Sequence, residues 1–438
     1  MTRLTLGVGA AIGCALAVTL ALAGDLNPPP GAPVSTMKTL QEVEPRTAIN
    51  ATNTPGDANS VYKITQPGSY YLTGNITGEA GKGGIHIVAS DVTLDLMGFN
   101  LLGVEGSVEG VSAPVVGLTN IAVVNGSVRD WGYSGVSLGA ATNCRVVDVL
   151  TSGDPNDSGG INVGSGSTVS NCDVRGSGNG IFASPNCTIV NCTATGNGTG
   201  IAAQEGSTIS NCAAGSNFTG ILTYRGCTLS NCSAFNNAGE GLCTNDGCTL
   251  SNCVAYANTG NGIRTGYGCA LSNCSAHNNQ GDYGIYAFGN ACTLTNCEAF
   301  LNYGSGIGLG SGGTLTDSNA SWNTDDGIVC SDHCVVRGNA CWNNGNFGGT
   351  GAGIHATDAG NRMEGNTCTG GDRGIDVDAA GNIIIRNTCA GNTTNYAIVA
   401  NNYYGPIIDR AGVATAAVNG SAAASTLAST DANANFSY

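Results

Sequence analysis

Gly220-Ile221-Leu222-Thr223-Tyr224-Arg225-Gly226-Cys227-Thr228-Leu229-Ser230-Asn231-Cys232-Ser233-Ala234-Phe235-Asn236-Asn237 is one copy of a pattern repeated through the middle of the chain. Asn171-Cys172, Asn191-Cys192, Asn211-Cys212 and Asn231-Cys232 recur at steps of 20, and Cys253, Cys274 and Cys297 follow at steps of 21, 21 and 23. A second mark keeps the same beat: Gly160-Ile161, Gly180-Ile181, Gly200-Ile201, Gly220-Ile221, Gly241-Leu242, Gly262-Ile263 and Gly284-Ile285. A fixed period of this length means a solenoid, in which each repeat contacts only its neighbours.

Within the quoted copy, Ile221 and Thr223 alternate with polar positions, then Cys227 and Leu229, then Cys232 and Ala234. Alternation by two is strand behaviour, and the runs are too short for packed helices. Gly and Asn punctuate them, as bends require. One repeat is therefore expected to hold three short strands and three bends, and stacking makes three parallel sheets around a narrow core. The glycine before Ile is expected at a bend with positive φ. Asn171, Asn191, Asn211, Asn231, Asn252, Asn273 and Asn296 are expected to form a buried bend column, with amides bonded from rung to rung. The Asn-Cys-Ser/Thr triplets at Asn191, Asn231 and Asn273 are accordingly read as structural rather than as glycosylation acceptors.

The repeated Thr228-Leu229-Ser230-Asn231-Cys232 text, followed by the next Gly-Ile mark, resembles the right-handed parallel β-helix proteins of the pectate-lyase-like superfamily. Asp91 to Leu101 resembles an early rung of that group. The resemblance covers residues 61–410 and implies an all-β, single-stranded right-handed parallel β-helix. Counting marks from Gly84 to Gly374 gives fourteen rungs of 20–26 residues, a rod about 65 Å long at ~4.8 Å per rung. The superfamily holds polysaccharide lyases, glycosidases, tailspikes, adhesins and non-enzymes, so the resemblance speaks to fold more than to activity.

The net charge of −15 argues against nucleic acid, whose phosphates demand a basic face. It also disfavours bare polyuronates unless a divalent cation bridges. Residues 1–23 have the pattern of a secretory signal peptide: Arg3, an apolar run, then Ala21-Leu22-Ala23. No later stretch is long enough to cross a bilayer. The expected location is outside the cytoplasm: extracellular, periplasmic or cell surface. Residues 24–60 are expected to be a Pro-rich linker with a short helix from Ser35 to Glu44. Residues 61–76 are expected to cap the solenoid through a hairpin-like turn at Pro67-Gly68, and 411–438 to be a loose tail. Most of the 20 cysteines fall into two inward columns, Cys172 to Cys297 and Cys144 to Cys334. Parallel Cβ vectors in such columns suit buried thiols better than disulfides.

Aligning the rungs places Arg264, Tyr286, Gly308, Val329, His355 and Asp376 in one outward column of the first sheet. Phe288 and Asp378 lie two places on, and Asp325, Asp326, Asp372 and Arg373 at the bend before. Earlier rungs carry Phe182, Ala202, Leu222 and Cys243 there, so ionisable groups gather in the C-terminal half. Asn323-Thr324-Asp325-Asp326 resembles part of the polygalacturonase site, but the Gly-His-Gly and Arg-x-Lys companions are absent. Lyases of the fold use clustered Asp with calcium and a basic residue, for which Arg373, Asp376 and Asp378 are the nearest counterparts; no specific calcium motif is present.

The expected groove runs on the first sheet between the rungs of Gly262 and Gly374. Asp325, Asp326, His355 and Asp376 are the candidate catalytic groups of a polysaccharide lyase or glycoside hydrolase. Arg264, Tyr286, Phe288, Arg373 and Asp378 are the candidate contacts to a polysaccharide or cell-surface glycan. Trp322 and Trp342 add aromatic faces nearby. The alternative is a non-catalytic structural or adhesive rod, which the plain outward face of the central repeats favours.

Overall fold

The computed structural model describes residues 46–153, 159–345, 351–409 and 430–438. The expected signal peptide, the Ser35–Glu44 helix and most of the linker lie outside the described residues, and so does the Asp154–Asp157 loop. The folded unit spans Arg46–Tyr438.

One rung consists of Thr219–Thr223, Thr228–Ser230 and Ser233–Phe235. Each strand pairs in parallel with its counterparts in the rungs before and after. In the first sheet Ile201, Ile221, Leu242 and Ile263 align. In the second column Ile209, Leu229, Leu250 and Leu271 align, and in the third Ala214, Ala234, Ala255 and Ala276. Ile221, Thr223, Cys227, Leu229, Cys232 and Ala234 all point inward and are buried, as the alternation requires. Large residues on two walls face Ala on the third, which keeps the core narrow and filled.

The first sheet has 16 strands, from Ser60–Ile64 to Thr394–Ile398, so the rod is longer than the fourteen marks suggest. The two unmarked rungs replace Gly-Ile with Val61-Tyr62 at one end and Asn395-Tyr396 at the other. The second and third columns are joined into one sheet where Ile121–Arg129 and Arg145–Ser152 run through the bend and pair with strands of both columns.

The ends differ from expectation. Pro67-Gly68 makes no hairpin: Ser60–Ile64 pairs with Gly83–Ile87 and Gly68–Tyr71 with Val92–Asp95, both in parallel as rung strands. Order also begins inside the expected linker, where Thr47–Ala48 pairs with Tyr70–Tyr71. At the other end Asn435–Ser437, from the expected loose tail, pairs with Thr388–Ala390 and continues the stack. Trp131 is buried, and its indole N–H donates to the carbonyl of Leu101 at 3.3 Å.

Asparagine ladders run along the rod, and the Asn-Cys one is not a buried one. Asn171 through Asn296 are exposed, with left-handed φ between 53° and 54° for most of them, a conformation Asn tolerates. Their amides bond from rung to rung on the outside, as between Asn252 Nδ2 and Asn231 Oδ1 at 3.2 Å. The longest buried ladder is Asn197, Asn217, Asn237, Asn258, Asn279, Asn302, Asn323 and Asn344, and a second runs through Asn339, Asn366, Asn387 and Asn435. Asn237 shows its bonding: Nδ2 donates to Asn258 Oδ1 at 2.8 Å and to the Ala214 carbonyl at 3.2 Å, while Oδ1 accepts from the Asn217 backbone N–H at 2.9 Å.

That ladder also explains the glycine before Ile. Gly220 does not have positive φ; a Cβ there would lie 2.4 Å from the Gly241 carbonyl and 2.8 Å from Asn237 Nδ2. The position requires space rather than backbone freedom. The 19 described cysteines are buried thiols, including a third column, Cys341, Cys368 and Cys389, on the Ala wall. Burial pushes the thiol of Cys334 up to about 11 and that of Cys330 well above its ordinary value. These two thiols stay protonated, and protonated thiols are poor nucleophiles.

Candidate functional site

The regular rungs have a three-residue bend between third and first columns, such as 196–198 between Thr193–Thr195 and Thr199–Ala203. C-terminal to Gly220 this bend gains residues, which accounts for most of the lengthening of the period. The extra residues include Glu240, Asn261, Asp282 and the Asp325-Asp326 pair. Short insertions at one bend therefore place acids along one edge of the first sheet.

The outward column is in register: Arg264 opposite Tyr286, Tyr286 opposite Gly308, Val329 opposite His355 and His355 opposite Asp376. Gly308 is the gap in that column. A Cβ on it would lie 2.6 Å from the Tyr283 ring and 3.0 Å from Tyr286. The vacancy lets the Tyr283 and Tyr286 rings stack with centroids 4.3 Å apart and planes 8° from parallel. Phe288 lies 5.7 Å from Tyr286, with the Arg264 guanidinium 4.4 Å from its centroid.

Beside this aromatic pair is an open cleft of about 470 Å³, lined by Asp282, Tyr283, Tyr286, Tyr303, Ser305 and Asp325. What burial Asp325 has, together with the like charges of Asp326 and Asp282, holds its carboxyl above the usual range. The Tyr283 hydroxyl is also raised, chiefly by burial and then by the neighbouring Tyr286 and acids. Among the described residues neither Asp282 nor Asp325 forms an ion pair. Arg264 faces Glu240 at 3.5 Å, and Arg373 bonds Asp376.

The second group lies one and two rungs on. His355 Nδ1 is 3.0 Å from Asp326 Oδ2, and Nε2 is 3.0 Å from Asp378 Oδ2. The other oxygen of Asp326 accepts the Ala352 N–H at 2.6 Å. The bond to Asp326, joined by that to Asp378 and opposed by burial, raises the His355 pKa to about 9. The imidazolium is thus clamped between two carboxylates. Asp376 is buried against Arg373.

Ligand atoms of His355, Asp376 and Asp378 lie within 4.8 Å of one another. Calcium takes about six to eight oxygens. Two carboxylates, one already held by Arg373, and an imidazole bonded on both nitrogens fit it poorly.

The nine residues singled out in the sequence thus fall into an aromatic cleft (Arg264, Tyr286, Phe288, Asp325) and a clamp (Asp326, His355, Arg373, Asp376, Asp378). Sequence reasoning missed Asp282, Tyr283 and Tyr303; the insertion that breaks the 20-residue period at Gln280 to Tyr283 was the available signal. Asn323 of the polygalacturonase-like stretch is fully buried in the inner ladder and does not face the cleft.

The chain matches the model of the right handed beta helix region over residues 115–249 and 226–361, more than half its length, and belongs to that family. No curated protein sequence matches it. Among solved structures, it is similar to the A-module of a mannuronan C-5 epimerase from Azotobacter vinelandii, at 16% identity over 77% of this chain and 90% of that one, with a TM-score of 0.38. A pectate lyase shares 16% identity over 59% of this chain and 72% of that one, with a TM-score of 0.34. A tailspike protein of bacteriophage CBA120 shares 13% identity over 78% of this chain and 55% of that one, with a TM-score of 0.30. These likenesses concern fold alone. No helix among the described residues is long and apolar enough to cross a membrane.

Proposed function

We propose that this protein binds a polysaccharide on the outward face of the first sheet, in the cleft beside the stacked Tyr283–Tyr286 pair. The observation that carries the reading is that cleft: two carboxylates without ion-pair partners, Asp282 and Asp325, beside an aromatic platform. Aromatic faces accept the C–H faces of sugar rings, and carboxylates accept their hydroxyl hydrogens. Lining acids without a facing cation suit a neutral glycan over a polyuronate. An exported protein, as the N-terminal segment is expected to make this one, meets such polymers outside the cell.

A second reading, glycoside hydrolysis, is favoured by the raised carboxyl of Asp325. Burial and like charge favour the protonated form of Asp325; in that form it gives its proton to the leaving oxygen as the glycosidic bond breaks, while a second carboxylate, Asp282, takes a proton from the attacking water. The clamp of Asp326 with His355 positions the bend that carries Asp325. The test is a polysaccharide array followed by calorimetry and reducing-end assays. Tyr286→Ala is expected to abolish retention, and Asp325→Asn to weaken binding and lose any turnover. Retention of no glycan by the wild-type protein would leave a structural rod.

A further inference from the structure

From Asp173–Arg175 to Thr367–Thr369, each third strand is followed directly by a residue with left-handed φ. This column reads Gly176, Gly196, Ser216, Asn236, Ala257, Asn278, Leu301, Trp322, Asn343 and Gly370. Gly and Asn suit the conformation, whereas Leu301 (φ 54°) and Trp322 (φ 57°) do not. Two bulky residues are thus held in disfavoured backbone on consecutive rungs. With Tyr303, Thr324 and Asn278 they line an aromatic hollow of about 390 Å³ on the outer surface. The Trp342 ring meets Trp322 edge-on at 5.3 Å.

Tyr303, 65% exposed, lines both this hollow and the acidic cleft. Trp322, Thr324 and Asp325 belong to one bend, so the chain itself connects the two depressions. The hollow's polar lining consists of amides and hydroxyls, from Asn278, Asn302, Tyr303 and Thr324, with no charged group among its lining residues.

We infer that the Trp322 hollow is a second sugar subsite, and that one neutral oligosaccharide chain crosses the bend from the acidic cleft over Tyr303 into it. The inference rests on the carbohydrate-binding reading of the cleft. Its occupant is a neutral sugar ring because the lining offers aromatic faces and uncharged hydrogen-bonding groups, and because it continues a depression already suited to sugars. The direction of the chain follows: it runs around the rod, across the bend, rather than along the first sheet.

The test uses gluco- and manno-oligosaccharides of two to eight residues, with oligogalacturonates as the charged comparison, titrated against wild-type protein, Trp322→Asn, Leu301→Asn and Tyr286→Ala. Asn occupies the same column elsewhere, so Trp322→Asn is expected to hold or raise the unfolding midpoint. Wild-type affinity is expected to climb with length, and Trp322→Asn to bind the disaccharide normally and the hexasaccharide at least tenfold more weakly. Tyr286→Ala should weaken every length. If wild-type affinity climbs with length and Trp322→Asn tracks it, the subsite is overturned while the cleft reading stands; a peptide or second copy of the chain filling the hollow would give this result. If no oligosaccharide binds the wild-type protein, both fall.

Discussion

The rungs from Gly180 to Gly241 and those from Gly262 to Gly374 share the same core and differ at one bend. In the first group the outward positions of the first sheet are Phe182, Ala202, Leu222 and Cys243; in the second they include Arg264, Tyr286, His355 and Asp376. Inward residues hardly change, because each inward column must fit the rung above and below. Outward residues and bend lengths carry no such constraint. One or two residues added between third and first columns leave the stack intact and project new side chains over the sheet. A solenoid thus separates the positions that hold it together from those that bear chemistry.

The largest expected effect lies within the regular group. Asn237→Leu strips partners from Asn217, Asn258 and the Ala214 carbonyl in the buried ladder. A cost of about 3 kcal/mol or more is expected. Asn231→Leu, on the exposed ladder, is expected to cost about 1 kcal/mol, from left-handed backbone without an Asn. Chemical denaturation of the two variants measures the gap, and equal costs would show that burial does not distinguish the ladders.

In the second group, Gly308→Val gives the column the side-chain bulk found at Val329 and displaces Tyr283 from Tyr286. The fold should survive, while oligosaccharide binding weakens by roughly fivefold, the value of an aromatic contact of about 1 kcal/mol. Calorimetry at fixed chain length reads this directly.

A further effect is the pH dependence of the clamp. His355 titrates near 9 when folded, against an ordinary value near 6.5. Its contribution is therefore complete below pH about 6.5, declines above it, and is lost as pH rises through about 9. The expected size is on the order of 1–2 kcal/mol. Unfolding midpoints between pH 6 and 10 should fall more steeply for wild type than for His355→Gln, and parallel curves would remove the clamp from the stability of this half.

The fold was legible because periodicity reports what every rung repeats. Ile221, Leu229 and Ala234 recur at fixed places, and their burial follows from alternation alone. Polar side chains were harder to place. Asn231 and Asn237 are both periodic asparagines next to strands, and nothing in the residue type says which amide faces the core; the backbone conformation at Asn231 turns it outward. The Pro67-Gly68 pair suggests a hairpin locally, and the parallel partners available on the next rung override it. The site was half legible: the outward column could be counted, whereas the cleft depends on insertions that shift the count. Tyr283 enters because Gly308 leaves room for it, a relation between rungs that a single repeat does not contain.

The buried asparagine ladder has a mechanical consequence. Every amide in it ties one rung to the next by the same bonds, so the central rungs present nearly equal resistance to being peeled away. Pulled from its two ends, the rod should unspool one coil at a time, each coil of 20 residues releasing a contour length of about 70 Å. The force trace should show evenly spaced steps through the centre, with slightly longer ones where the bend insertions begin. A filament that yields in small repeated steps absorbs a tug without losing its remaining coils.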